Sequence, residues 1–213
     1  MELLAISATK ATLEFIDKGG IFMYPLVLCS ITGLAAIGFK AMSLGRSRTV
    51  PDGLARGMAN INSGDTDPVV RELKQGGSAL ARLGAVALRH HDKPAEDITR
   101  AVESSAREEV VKMHAGISLL DVVITVAPLL GLLGTASGLV TIFQGLGETT
   151  DHLAIARGIA EALNTTIFGL AIAVPCVIAH SYFTRRIERL TARMESVLAD
   201  FVSAYSHQTP PAN

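Results

Sequence analysis

Glu161, Asn164, Thr165 and Thr166 stand within six residues of one another in the stretch GIAEALNTTIFGLAIAVP, Gly158 to Pro175. A carboxylate holds or releases a proton, an amide donates and accepts, and a hydroxyl does both through one oxygen. Such side chains can line a path for a proton or another cation. On a helix, Glu161 and Thr165 are four apart and nearly in line. Thr166 lies about 140° round from Glu161, and Asn164 about 60° to the other side. No Asp, Glu, Lys or Arg occurs from Ala162 to Thr184, so this polar wedge heads an apolar run. A charge at the centre of a bilayer costs at least about 2.5 kcal/mol. The wedge must therefore face other protein or a water-lined cavity. Taken singly, each residue has a plainer reading. Glu161 can be an interfacial residue near a helix end, and a threonine can satisfy itself on the carbonyl four residues back. Thr135, in the preceding apolar run, shares that plainer reading. As a group the five are harder to dismiss, because the two runs are joined at their outer ends and their polar residues can converge.

The run that must sit beside this wedge is APLLGLLGTASGLVTIFQGLG. Gly131, Gly138 and Gly145 lie seven apart, and Gly134 and Thr141 repeat the spacing with an offset of three. That is a seam of small residues along one helix face. Small residues let helix backbones approach closely in lipid, where apolar contact alone gives little drive. The seam predicts close packing, within a chain or between subunits. Pro128 and Pro175 fall in the inner halves of the two runs. Each removes one backbone hydrogen bond, which can kink a helix or admit water to its backbone.

The whole chain suits a membrane. It has 213 residues, 49% of them hydrophobic and 18% charged, with no Trp and a mean hydropathy of +0.38. Such a composition marks an integral membrane protein. A net charge of −1 gives no electrostatic reason to expect a nucleic-acid partner. No CxxC, HExxH or phosphate-cradling glycine loop is present, and no nucleophile–base pair suggests an enzyme or a cofactor. His90 and His91 are adjacent, so on a helix they point about 100° apart and read as a solvated face rather than a metal site. Cys29 and Cys176 lie inside apolar runs and read as buried small residues rather than a disulfide.

Three uncharged stretches are long enough to span hydrocarbon. The chain divides into a periplasmic amphipathic helix (1–18), a first span (19–42), a cytoplasmic helical region (43–121) and a second span (122–147). A short periplasmic loop (148–152), a third span (153–184) and a cytoplasmic C-terminal helix and tail (185–213) follow. Orientation comes from Lys and Arg. Eleven fall between Arg46 and Lys112, four between Arg185 and Arg193, and none between Glu148 and His152. The stretch from Pro94 lacks another proline until Pro128 and predicts one helix running from the cytoplasm into span two. Span three continues likewise into RRIERLTARMESVLADFVSAY. There Ile187, Leu190, Met194, Val197, Phe201 and Tyr205 recur every three or four residues. That amphipathic tail needs a partner, expected to be the extension of span two.

APLLGLLGTASGL and GIAEALNTTIFGLAIAVP, together with the three spans and long cytoplasmic helices, resemble the MotA/TolQ/ExbB proton-channel family, above all its three-span ExbB and TolQ branch. The resemblance covers nearly the whole chain. It implies an all-α inner-membrane protein assembled as a homopentameric ring among membrane lipids. The ring would enclose the helices of a single-span partner, ExbD or TolR, whose membrane aspartate carries the proton. By motif position, Thr135 and Thr166 would be the pore threonines and Glu161 the family glutamate. Ala136 and Asn164 depart from the family pattern, and Asn164 leaves the choice between proton and sodium open. The implied function is a motor subunit that energises outer-membrane uptake through a TonB-like protein. A TolQ-like envelope role and a scaffold with no ion path remain as alternatives.

Overall fold

The computed structural model describes residues 20–45, 49–60, 67–145 and 152–206. The amphipathic helix expected over 1–18 lies outside the described residues, as do residues 146–151 and the C-terminal tail beyond residue 206. All regular structure among the described residues is helical: α1 (Met23–Ser43), α2 (Asp52–Ala59), α3 (Asp67–Gln75), α4 (Ala79–Arg89), α5 (Ala95–His114), α6 (Ile117–Gly145) and α7 (His152–Ser206). Three of them, α1, α6 and α7, are long and apolar enough to cross a membrane. At 55 residues, α7 far exceeds the ~20 that a bilayer requires. Both α6 and α7 run on through their prolines, Pro128 and Pro175. The residues group into two compact units, Met1–Gly38 with Gly116–Ser181, and Phe39–Ala115 with Tyr182–Asn213.

The single helix expected from Pro94 into span two is two helices. α5 ends at His114 and α6 begins at Ile117. Between them Gly116 adopts φ +85°, a left-handed conformation that costs a residue with a side chain about 1–2 kcal/mol. This is the glycine stop of a helix C-terminus. The Ala115 amide closes the last turn onto the carbonyls of Val111 and Lys112. Lys40 completes the end. Its Nζ donates to the Met113 and Ala115 carbonyls at 2.5 and 2.6 Å, and its side chain is buried. An ammonium at a helix C-terminus meets orphan carbonyls and the negative end of the dipole together. In the sequence Lys40 only marks where an uncharged run ends.

The second unit has a buried apolar core between its helices. Leu54 and Met58 of α2, Leu73 of α3, and Leu80 and Leu83 of α4 are buried. Gly84 brings α4 close to its neighbours, since a Cβ there would meet Leu73 Cδ2 at 2.5 Å. Ser78 caps α4, accepting from the Ala81 amide at 3.1 Å. α3 begins at Asp67-Pro68, with the proline in the first turn, where its missing amide costs no intrahelical bond. His90 and His91 turn Nδ1 to the carbonyls of Val86 and Leu88. The tail of α7 buries Ile187, Leu190, Met194, Leu198, Phe201 and Val202; of the expected stripe Val197 is only half-buried, and the side chain of Tyr205 lies outside the described ones. The tail meets α2, where Arg193 pairs with Asp52 at 2.7 Å.

One buried charge organises this unit. Glu109 on α5 receives Nε and Nη2 of Arg82 from α4 at 3.0 and 2.5 Å, and Lys112 at 3.3 Å. Those hydrogen bonds from Arg82 hold the Glu109 carboxyl below the usual carboxylate range, against the opposing effect of burial, with Lys112 assisting. A carboxyl depressed in the folded state stabilises above its unfolded pKa and loses that contribution as pH falls through the folded value. Arg82→Ala is expected to destabilise the protein by about 1–3 kcal/mol at neutral pH, because it leaves a buried carboxylate short of donors. Glu109→Gln is expected to flatten the loss of stability below about pH 4. Thermal unfolding in detergent, followed by circular dichroism across pH, checks both; an unchanged acid limb in Glu109→Gln would remove Glu109 from this role.

Candidate functional site

In the first unit, the glycine face of α6 lies directly against α7 of the same chain. A Cβ at Gly138 would meet Ala162 Cβ at 2.7 Å, one at Gly134 would meet Thr165 Oγ1 at 2.7 Å, and one at Gly131 would meet the Thr165 carbonyl at 2.8 Å. The contacts run back along α6 from Gly138 to Gly131 as they run forward along α7 from Ala162 to Thr165 and Thr166, as antiparallel helices require. The seam therefore packs within the chain at these three positions. Gly145, placed in the seam by spacing, has nothing within 4 Å of its would-be Cβ.

α7 carries a matching seam that the sequence reading missed. A Cβ at Gly169 would stand 2.5 Å from the Ala127 carbonyl and 3.3 Å from Gly131 Cα. At Gly158 it would meet Ile142 at 3.0 Å. Gly158, Ala162, Thr165 and Gly169 recur at spacings of three and four, the same signal that exposed the seam of α6. α1 joins through Gly33, whose Cβ would lie 2.8 Å from Cys176 Sγ. Cys29 and Cys176 are both free thiols.

The close approach gathers three hydroxyls. Thr165 Oγ1 lies 2.8 Å from the Ala162 carbonyl and 3.1 Å from that of Gly131. Thr135 Oγ1 lies 3.1 Å from the Ala162 carbonyl and 3.2 Å from that of Gly131. Thr166 Oγ1 lies 3.0 Å from the Gly131 carbonyl, and Thr135 and Thr166 bond hydroxyl to hydroxyl. Each hydroxyl has one hydrogen to give. Three hydrogens are thus shared among two carbonyls and the hydroxyls themselves, and rotation about the Cβ–Oγ bonds redistributes them. The cluster can present either a hydroxyl hydrogen or a lone pair to a visiting group.

The four polar residues of the wedge are not equivalent. Thr165 is 2% exposed, locked between the helices, while Thr135 and Thr166 are half-buried. Glu161 and Asn164 are also half-buried, but neither makes a hydrogen bond or ion pair among the described residues. The hydroxyl cluster is therefore Thr135, Thr165 and Thr166, with Glu161 about one turn toward the start of α7. Two further polar residues link the same helices. His180 Nε2 lies 2.9 Å from Asp121 Oδ1. Sequence reasoning passed over both, because Asp121 falls at the edge of an uncharged run and a histidine does not interrupt one.

Residues 68–196 match the MotA/TolQ/ExbB proton channel family. An ExbB-like biopolymer transport protein of Synechocystis is 31% identical over 210 residues, covering 94% of this chain and 78% of that protein. The biopolymer transport protein exbB1 of Vibrio cholerae is 29% identical, covering 84% of this chain and 82% of that protein. The Tol-Pal system protein TolQ of Pseudomonas aeruginosa is 35% identical over 112 residues, covering 52% of this chain and 48% of that protein.

Backbone contact at Gly169 leaves no room even for a methyl group, and the obstacle is a carbonyl that cannot swing aside. Gly169→Ala is expected to separate α6 from α7 and to destabilise the protein by about 1–3 kcal/mol. Gly145→Ala, at an open position, is expected to be neutral or slightly stabilising. Thermal unfolding of the two variants in detergent checks the contrast; equal midpoints would contradict the close α6–α7 packing.

Proposed function

The chain belongs to the MotA/TolQ/ExbB proton channel family, and from that membership we propose that it is the ion-channel subunit of an ExbB–ExbD type motor in a bacterial inner membrane. The observation that carries this reading is the Thr135–Thr165–Thr166 hydroxyl cluster, held between two apolar helices with Glu161 nearby. The subunit forms a homopentameric ring. It encloses a single-span ExbD-like partner whose membrane aspartate shuttles the proton. Protonated and neutral, that carboxyl passes the apolar wall; ionised, it rests beside hydroxyl donors at Thr135 and Thr166. Alternation between these states turns proton flow into relative movement, delivered to outer-membrane transport through a TonB-like protein. The Lys and Arg distribution supports a periplasmic N-terminus and a cytoplasmic C-terminus.

A TolQ-like role in a Tol-Pal type envelope system is the second reading, supported by the likeness to TolQ. Alignments over 84–94% of the chain are with ExbB-named proteins, while TolQ, like some other ExbB-named proteins, aligns over about half; the longer alignments support the ExbB-type role. Co-purification with a TonB-like rather than a TolA-like protein separates them. Native mass spectrometry of the purified chain is expected to give five copies, and a monomer would overturn the ring.

Thr→Val keeps the shape and removes the hydroxyl. A hydrogen bond to a charged group contributes about 1.5–3 kcal/mol. Thr135→Val and Thr166→Val are each expected to lower proton flux, with the partner present in liposomes, by about tenfold or more, with the ring intact. Glu161→Gln is expected to retain part of the flux, because a half-buried carboxylate with no hydrogen bond among the described residues tunes the local potential without relaying the proton itself. Wild-type flux in both threonine variants would move the reading to a non-conducting scaffold; complete loss in Glu161→Gln would make Glu161 an obligatory relay.

A further inference from the structure

We propose that Asp121 and His180 form a second proton site on this chain, near the start of α6 and the middle of α7 and remote from Glu161, where protons leave the path. This rests on the channel reading above. Fourteen residues separate Thr135 from Asp121 on α6, and fourteen separate Thr166 from His180 on α7. That is about 21 Å, and close to four full turns, so each member of the pair lies within about 40° of the helix face of its threonine. The bonded threonines and the bonded Asp–His pair are thus successive polar contacts between the same two helices. Between them lie Pro128 and Pro175, whose missing amides leave the carbonyls of Ile124 and Ala171 without their helical donors.

The chemistry of the pair is that of a proton acceptor. An ionised Asp121 can only accept, so the 2.9 Å contact fixes the hydrogen on His180 Nε2. Nδ1 then carries the lone pair and makes no hydrogen bond among the described residues. A proton arriving at Nδ1 converts the ring to imidazolium, already facing a carboxylate. Its departure from Nδ1 to water restores the neutral ring, one proton in and one out, with no other bond changed. On the isolated chain the side chains are 30% exposed for His180 and 58% for Asp121, so neither is sealed between the helices. Histidine is the side chain that ordinarily changes charge between about pH 5 and 8. Within this unit, the titratable groups on the other helices are Asp121 on α6 and Tyr24 and Cys29 on α1; on α7 they are His152, Arg157, Glu161 and Cys176. Of these groups on α1 and α6, Asp121 is the one in contact with His180; Lys40, also on α1, belongs to the second unit.

An interhelical clamp with no part in conduction would show the same contact, so the test uses variants that keep the contact and remove the proton chemistry. His180→Asn retains an amide donor for Asp121 and does not titrate; Asp121→Asn retains an acceptor and loses the charge. The full chain with its single-span partner is reconstituted in liposomes. Proton flux under a potassium diffusion potential is read with a pH-sensitive dye, while the pH on the side facing His180 is varied from about 5 to 8. His180→Asn is expected to lose at least tenfold in flux and to abolish the pH dependence seen in the wild type over that range. Asp121→Asn is expected to lower flux with the ring and its thermal midpoint unchanged. A His180→Asn complex that conducts like the wild type, with the same pH profile, overturns the second site while the threonine path stands. A wild-type complex that passes no protons overturns the channel reading and this inference with it. If His180→Asn lowers the amount of complex, Asp121→Asn decides: normal flux there also overturns the proposal.

Discussion

Backbone-to-backbone contact between α6 and α7 is the constraint on which the rest of the membrane unit depends. Lipid tails are as apolar as leucine, so helices in a bilayer gain little by burying leucine against leucine. They gain from dispersion and from polar contacts, and both need closeness. Gly131, Gly134 and Gly169 supply it by presenting hydrogen where other residues present a methyl group. The large apolar side chains, such as Leu129, Leu133, Phe143 and Ile167, remain exposed on the isolated chain. They are available to lipid and to other subunits.

The hydroxyl cluster follows from that closeness. A threonine in an apolar helix ordinarily returns its hydroxyl to its own helix, as Thr32, Thr125 and Thr141 do here. At Thr135, Thr165 and Thr166 the neighbouring backbone is near enough to compete. Carbonyls at Gly131 and Ala162 then serve hydroxyls from both helices. The contact that secures the pair also creates an oversupplied set of acceptors and mobile hydrogens, which is the property an ion path requires.

The second unit is organised around a buried apolar core. Its helices bury leucine stripes, glycine serves close packing at Gly84, and a buried carboxylate is tolerated because Arg82 grips it with two bonds. Lys40 belongs to the same logic. Placing an ammonium where a helix has ended turns two orphan carbonyls into a binding site for the charge.

Much of this was legible in the sequence. The three apolar runs, the amphipathic tail and the start at Pro94 follow from periodicity and composition, which are local properties. So does the glycine seam of α6, and so do the motifs that carry the family. Gly116 was visible as an interruption, but whether it bends a helix or merely weakens it depends on whether the freed carbonyls find donors. The donor is Lys40, far away in sequence. Spacing on one helix likewise ranks Glu161 with Thr165 and cannot tell which of two adjacent threonines meets Thr135. The partner helix decides that, burying Thr165 and leaving Thr166 beside Thr135. Asp121 and His180 carry no sequence signal because their meaning lies in a contact across 59 residues of chain. A sequence fixes what each helix can offer on its faces; only packing sets which offered groups lie within the roughly 3 Å that a hydrogen bond demands.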